Sequence, residues 1–223
     1  TVSNSSISGN TTSGGGGIAN SGALTVSSST ISGNSASSGS GGGIFNNGTF
    51  TLTSSTLYNN SAGNGGGITN SGTLTVSNST ISGNSATNNG GGIYNTNAGS
   101  TLSLLNSTIS GNDAFASNSD QLFNGSIFGG NGGGLYIFNG TVNISNSTIS
   151  GNDATFTNTG NITVGTNDSI YAGNGGGISI YNATVTISNS TISGNSASFT
   201  NSGTLTNANF LIFDPNSFCF SGD

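Results

Sequence analysis

Apolar residues recur along this chain in a fixed order and never gather into one long run. One block reads apolar-x-x-Ser-(Ser/Thr)-(Ile/Leu)-x-x-Asn and occurs seven times, as Val2–Asn10, Val26–Asn34, Leu52–Asn60, Val76–Asn84, Leu104–Asn112, Ile144–Asn152 and Ile187–Asn195. A second block, Gly-Gly-(Ile/Leu), places its apolar residue at Ile18, Ile44, Ile68, Ile93, Leu135 and Ile178. The two blocks alternate strictly. Within a repeat, Leu74 and Val76 are separated by Thr75, which is the two-residue period of a strand. Ile81 stands between Thr80 and Ser82 in the same way. No stretch follows a 3.6-residue period, and the glycines would destabilise a helix. Three short strands per repeat, joined by turns, predict one coil of a parallel β-helix. Coils of this kind stack at about 4.7–4.9 Å. The fold class expected is therefore all-β: a right-handed parallel β-helix of about seven coils, with side-loop insertions and a C-terminal cap.

Such stacking explains how a chain only 30% hydrophobic can fold, because each coil buries a few side chains against its neighbours. The repeated polar residues then take structural places. Asn10, Asn34, Asn60, Asn84, Asn112, Asn152 and Asn195 are expected to form an asparagine ladder whose amides bond from coil to coil. Ser5, Ser29, Ser55, Ser79, Ser107, Ser147 and Ser190 hold one equivalent corner position. Thr30, Thr56, Thr80, Thr108, Thr148 and Thr191 are expected to point outward in register beside a column of Ser, which Tyr58 interrupts.

The paired motifs Ile81-Ser-Gly-Asn84-Ser-Ala86 and Gly90-Gly-Gly-Ile93 resemble those of chlamydial polymorphic outer-membrane proteins. They also resemble the repeats of related bacterial surface adhesins with right-handed β-helices. Ile stands here for the usual Phe, and Gly for the Ala of the glycine motif. The resemblance covers about residues 1–200 and implies a secreted or surface-displayed, adhesin-like protein. That implication is an analogy of fold, not of site.

The repeat is broken in three places. Insertions at 114–131 and 154–174, and a related sequence after Asn195, leave the coil at one corner and are expected to stack as a side flap. The main β-helix is expected over residues 1–208. Residues 209–223 hold Phe210, Leu211, Ile212, Phe213, Phe218 and Phe220, with no glycine block after them. They read as a C-terminal cap or an assembly segment. Thr1-Val2 enters directly into a repeat, so the chain is expected to be a processed protein or part of a longer one. An uncapped first coil containing Val2 and Ile7 is a template for another chain.

Composition removes most chemistry. There are six Asp and no Glu, Lys, Arg or His, giving a net charge of −6. Nucleic-acid binding lacks the cations that neutralise phosphates. Triads lack their base, and phosphate clamps lack Lys and Arg. The glycine runs are followed by no Lys-(Ser/Thr), so they are not nucleotide loops. Single Cys219 excludes an internal disulfide framework. No run of apolar residues is long enough for a membrane-spanning helix. Asp113 and Asp153 occupy one position of adjacent coils, with Asp120 and Asp168 in the loops that follow. That pair is a candidate Ca²⁺ site by its hard oxygen ligands; no other cofactor is expected, and no enzymatic activity.

The function expected is an extracellular structural or adhesive β-helix, a surface rod or a filament subunit whose partner is itself, joined head to tail. The alternative is an ice- or carbohydrate-binding solenoid, the first because a flat uncharged Thr/Ser sheet is similar to the ice-binding face of solenoid antifreeze proteins. Surface glycans are the other candidate partner.

Overall fold

The computed structural model describes residues 1–119, 122–123, 127–163, 170–203, 205–206 and 218–220. They form a right-handed parallel β-helix in which every strand pair but one is parallel. A seven-stranded sheet runs Ser6–Ser8, Thr30–Ser32, Thr56–Tyr58, Thr80–Ser82, Thr108–Ser110, Thr148–Ser150 and Thr191–Ser193, one strand per coil. We call it the Thr–Ile–Ser face. A second sheet of seven strands begins with Thr11–Thr12 and ends with Ser196–Asn201; its inward column is alanine, so it is the Ala face.

The three strands expected per repeat, at Ile68, at Leu74 and Val76, and at Ile81, are present, and the Ala face is a fourth that the expectation lacked. In the early coils the remaining side is split in two: a Gly–Ile strand such as Ile68–Asn70, and an alternating strand such as Thr73–Ser77. Between them the chain turns at Asn-x-Gly. The Asn70 amide nitrogen donates to the Gly72 carbonyl at 3.1 Å and to Asn95 Oδ1 at 2.7 Å. Asn20, Asn46, Asn70 and Asn95 thereby form a second buried ladder. It stops where Asn95 pairs with Ile137. Without an amide to make the corner, the chain runs straight through as Leu135–Ser145 and Ile178–Ser188, strands of 11 residues each. The two half-sheets merge there into one.

The core is a set of columns. Ile31, Leu57, Ile81, Ile109 and Ile149 line the Thr–Ile–Ser face, and Leu52, Val76, Leu104 and Ile144 the alternating face, all 0–1% exposed. Along the Ala face the space narrows. Ala36, Ala86, Ala114 and Ala154 are fully buried. A Cβ placed on Gly42, Gly66 or Gly91 would run into the backbone of Ser61, Ser85 or Asp113 on that face. Two backbones approach there so closely that only Gly and Ala fit, which accounts for much of the glycine and for the modest apolar content.

Both ends of each Thr–Ile–Ser strand are set by left-handed residues. The residue two before the Thr is Asn or Ser at φ 47–49° in every coil, as at Ser28, Asn78 and Asn106. The residue after the strand is Gly33, Gly83, Gly111 or Gly151 at 59–61° behind a Ser, or Asn59 at 53° behind Tyr58. A Cβ on Gly33 would meet nothing within 4 Å. Conformation rather than space selects glycine there.

The insertions do not begin at 114. Asp113–Asn118 and Asp153–Asn158 continue the Ala face, and Ala114 pairs with Ala86. Beyond them, Leu122–Phe123, Ile162–Thr163 and Leu205–Thr206 stack as a three-stranded sheet, with Ile127–Gly129 beside Ile170–Ala172. Phe218–Phe220 pairs antiparallel with Ile178–Ile180, so this strand lies on the chain's own last Gly–Ile strand. Phe210, Leu211, Ile212 and Phe213 lie outside the described residues. Among the described residues no helix is long and apolar enough to cross a membrane.

Candidate functional site

The ladders have a direction. Asn60 gives its backbone N–H and one amide N–H to Asn84 Oδ1, both at 3.0 Å. Asn84 gives the same two donors to Asn112 at 3.0 and 2.9 Å. The second amide N–H of Asn84 reaches back to the Leu57 carbonyl at 3.2 Å. The serine corner is built alike: Ser55 N–H donates to Ser79 Oγ at 3.1 Å, and Ser79 Oγ–H to the Ser77 carbonyl at 2.8 Å. In both ladders an earlier coil donates and a later coil accepts. Among the described residues, Asn10 Oδ1 and Ser5 Oγ in the first coil accept from no earlier coil, and the backbone N–H groups of Asn195 and Ser190 in the last donate to no later one. Val2 and Ile7 sit at the first end, half-buried against the core.

The outer sides of the Thr–Ile–Ser and alternating faces carry mostly short, uncharged side chains. Thr30, Thr56, Thr80, Thr108, Thr148 and Thr191 pair in strict register, as expected, and Tyr58 stands 38% exposed in the Ser column. The alternating face is wider, a feature the sequence reading missed. Its strands read Thr49-x-Thr51-x-Thr53 and Thr73-x-Thr75-x-Ser77, paired residue for residue, and continue through Thr101, Thr141 and Thr184 in the first column. The signal was present in the alternation itself, which the reading used only for its inward residues. Leu105, 37% exposed, interrupts the third column.

Asp113 and Asp153 are direct cross-strand partners on the Ala face, both exposed. Partial burial, and then the facing Asp153 carboxylate, raise the Asp113 pKa above the ordinary range. Asp120 and Asp168 lie outside the described residues. Among the described residues no group of three or more His, Cys, Asp or Glu is placed to hold a metal.

Aromatic residues gather on the merged strands. Tyr94 stacks on Tyr136 at 5.5 Å, and Phe138 on Tyr181 at 5.1 Å. Burial pushes the Tyr136 phenol up, and the Tyr94 and Tyr181 phenols add to the shift. In the insertions Phe156 stacks on Phe199 at 5.5 Å. These rings lie face against face along the helix axis and serve as extra ladders.

No family model matches the sequence, and neither a curated protein nor a solved structure matches it. The β-solenoid part of the resemblance to bacterial surface proteins stands in the structure; membership in that family has no support beyond the motifs.

Proposed function

We propose that the chain is a non-enzymatic extracellular rod, structural or adhesive, whose copies join head to tail. The observation that carries this reading is the polarity of the ladders. Acceptors at the first coil and donors at the last match one another in kind and in spacing, so a second copy stacked in register continues both ladders. Strand edges at the two ends would pair by the same strand addition. Such a joint needs no charged contact, which suits a chain with six Asp and no cations. The absence of His, Lys and Arg supports a non-enzymatic role, and the resemblance to surface-displayed β-helices supports the extracellular placement. Phe218–Phe220 adds an antiparallel strand along Ile178–Ile180 of the last coil, and in this reading that strand takes part in the joint.

Electron microscopy and sedimentation of the purified chain test this. Filaments whose length grows with concentration are expected. Val2→Lys or Ile7→Lys would put an unpaired charge in the joint and abolish them while the β-type circular dichroism is kept. Deletion of residues 209–223 is expected to do the same. Monomers at high concentration, or normal polymerisation of the truncated chain, would overturn the reading.

A further inference from the structure

We propose that the alternating face binds the surface of ice, a function carried by a different part of the molecule from the joint above. The face is built of five-residue strands, of which Thr49–Thr53, Thr73–Ser77 and Thr101–Leu105 are adjacent and paired without a bulge. It continues into the long strands through Thr141 and Thr184. The strands send large residues inward, such as Phe50 and Leu74, and mostly hydroxyl residues outward, with Ala23, Leu105 and Asn143 as the exceptions. The backing is therefore close-packed and stiff. The Ser and Asn ladders hold successive coils in register and resist the twist that would warp a six-coil surface.

The spacing of the outward groups follows from the backbone. Hydroxyls repeat at about 4.8 Å from coil to coil and at about 6.6 Å from one column to the next. Three columns make the face about 13 Å wide, twice the width of the two columns of the Thr–Ile–Ser face. Both repeats are near distances at which oxygen atoms recur on planes of hexagonal ice. Threonine supplies a hydroxyl that can replace a lattice water's hydrogen bond and a methyl that fills the gap between waters. No Asp lies on this face, so no strongly hydrated ion competes with the ordered layer.

The side chains argue against a glycan. Sugar sites are concave and lined by aromatic rings with a few convergent polar groups. This face presents short side chains and no outward aromatic ring, with Leu105 as its one large outward residue in the three columns.

The test is thermal hysteresis and ice-recrystallisation inhibition by the full chain, with sedimentation recording its assembly state. Thr75→Tyr, at the centre of the face, is expected to more than halve the hysteresis with the unfolding midpoint and assembly unchanged. Thr80→Tyr, around the corner on the Thr–Ile–Ser face, is expected to leave it intact. Leu105→Thr completes the third column and is expected to raise it. The proposal fails if the wild-type chain shows no hysteresis. It also fails if Thr80→Tyr removes activity while Thr75→Tyr does not, or if folded Thr75→Tyr keeps full activity. Filament loss in Val2→Lys with hysteresis retained would separate this function from the rod.

Discussion

Replacing Asn84 by Ala removes a side chain that takes part in four hydrogen bonds inside the fold. Its Oδ1 accepts the backbone and amide N–H of Asn60, and its amide donates to Leu57 and Asn112. The side chain is 0% exposed. Asn112 Oδ1 keeps the backbone N–H of residue 84, and the Asn60 amide keeps the Ile31 carbonyl. The Asn60 backbone N–H loses its acceptor outright. A buried orphan costs about 1–3 kcal/mol and each of the three further bonds about 0.5–1.5 kcal/mol, so the loss is expected to be about 2.5–7.5 kcal/mol. Asn10→Ala is the matched control. Asn10 lies exposed at the first coil and its side chain makes one ladder bond, to Asn34 at 2.9 Å. That change is expected to cost at most about 1.5 kcal/mol. Urea unfolding followed by far-ultraviolet circular dichroism reads both. Equal midpoints for the two variants, or an Asn84→Ala variant within about 1 kcal/mol of wild type, would refute the claim that the ladder amides are what fix the coils in register.

Asn84→Asp keeps the shape but replaces two donors by an acceptor that is charged at neutral pH. Burial and the facing Asn112 Oδ1 would raise its pKa above the unfolded value, so stability should be lowest at neutral pH and recover as pH falls through the raised pKa; a stability independent of pH would contradict it. Asp113 obeys the same sign, since its folded pKa is raised: its pairing with Asp153 disfavours the fold above the carboxylate range and this penalty lifts on acidification. Asp113→Asn is therefore expected to stabilise the chain at pH 7 by roughly 0.2–1 kcal/mol, the cost of like charges on facing strands, and a lowered melting temperature would count against it. Gly33→Ala is expected to cost about 1–2 kcal/mol because φ is 61° there, whereas Gly33→Asn should cost less, as Asn59 already holds the same position at 53°; equal melting temperatures would show that conformation does not select the residue.

The sequence by itself determined the coil. The seven-fold block fixed the number of turns, and the Asn10-to-Asn195 ladder was legible because a buried amide can be satisfied at one repeated position only by its own copy in the next coil. The Thr–Ile–Ser column was legible for the same reason of repetition. Only the tertiary structure decided the shape of the coil's cross-section. The corner at Asn20, Asn46, Asn70 and Asn95 depends on an amide meeting its neighbour across about 25 residues, and its loss at Ile137 merges two faces into one. The Ala face looks weakly apolar in one dimension; alanine fills that side because the facing glycine backbone leaves no more room. The direction of the ladders, and with it the complementarity of the two ends, is likewise absent from the residue names. It is set by which way each amide turns along the axis, a choice shared along one column: from Asn10 to Asn195 the earlier coil donates, whereas in the column of Asn89, Asn131 and Asn174 the later coil donates.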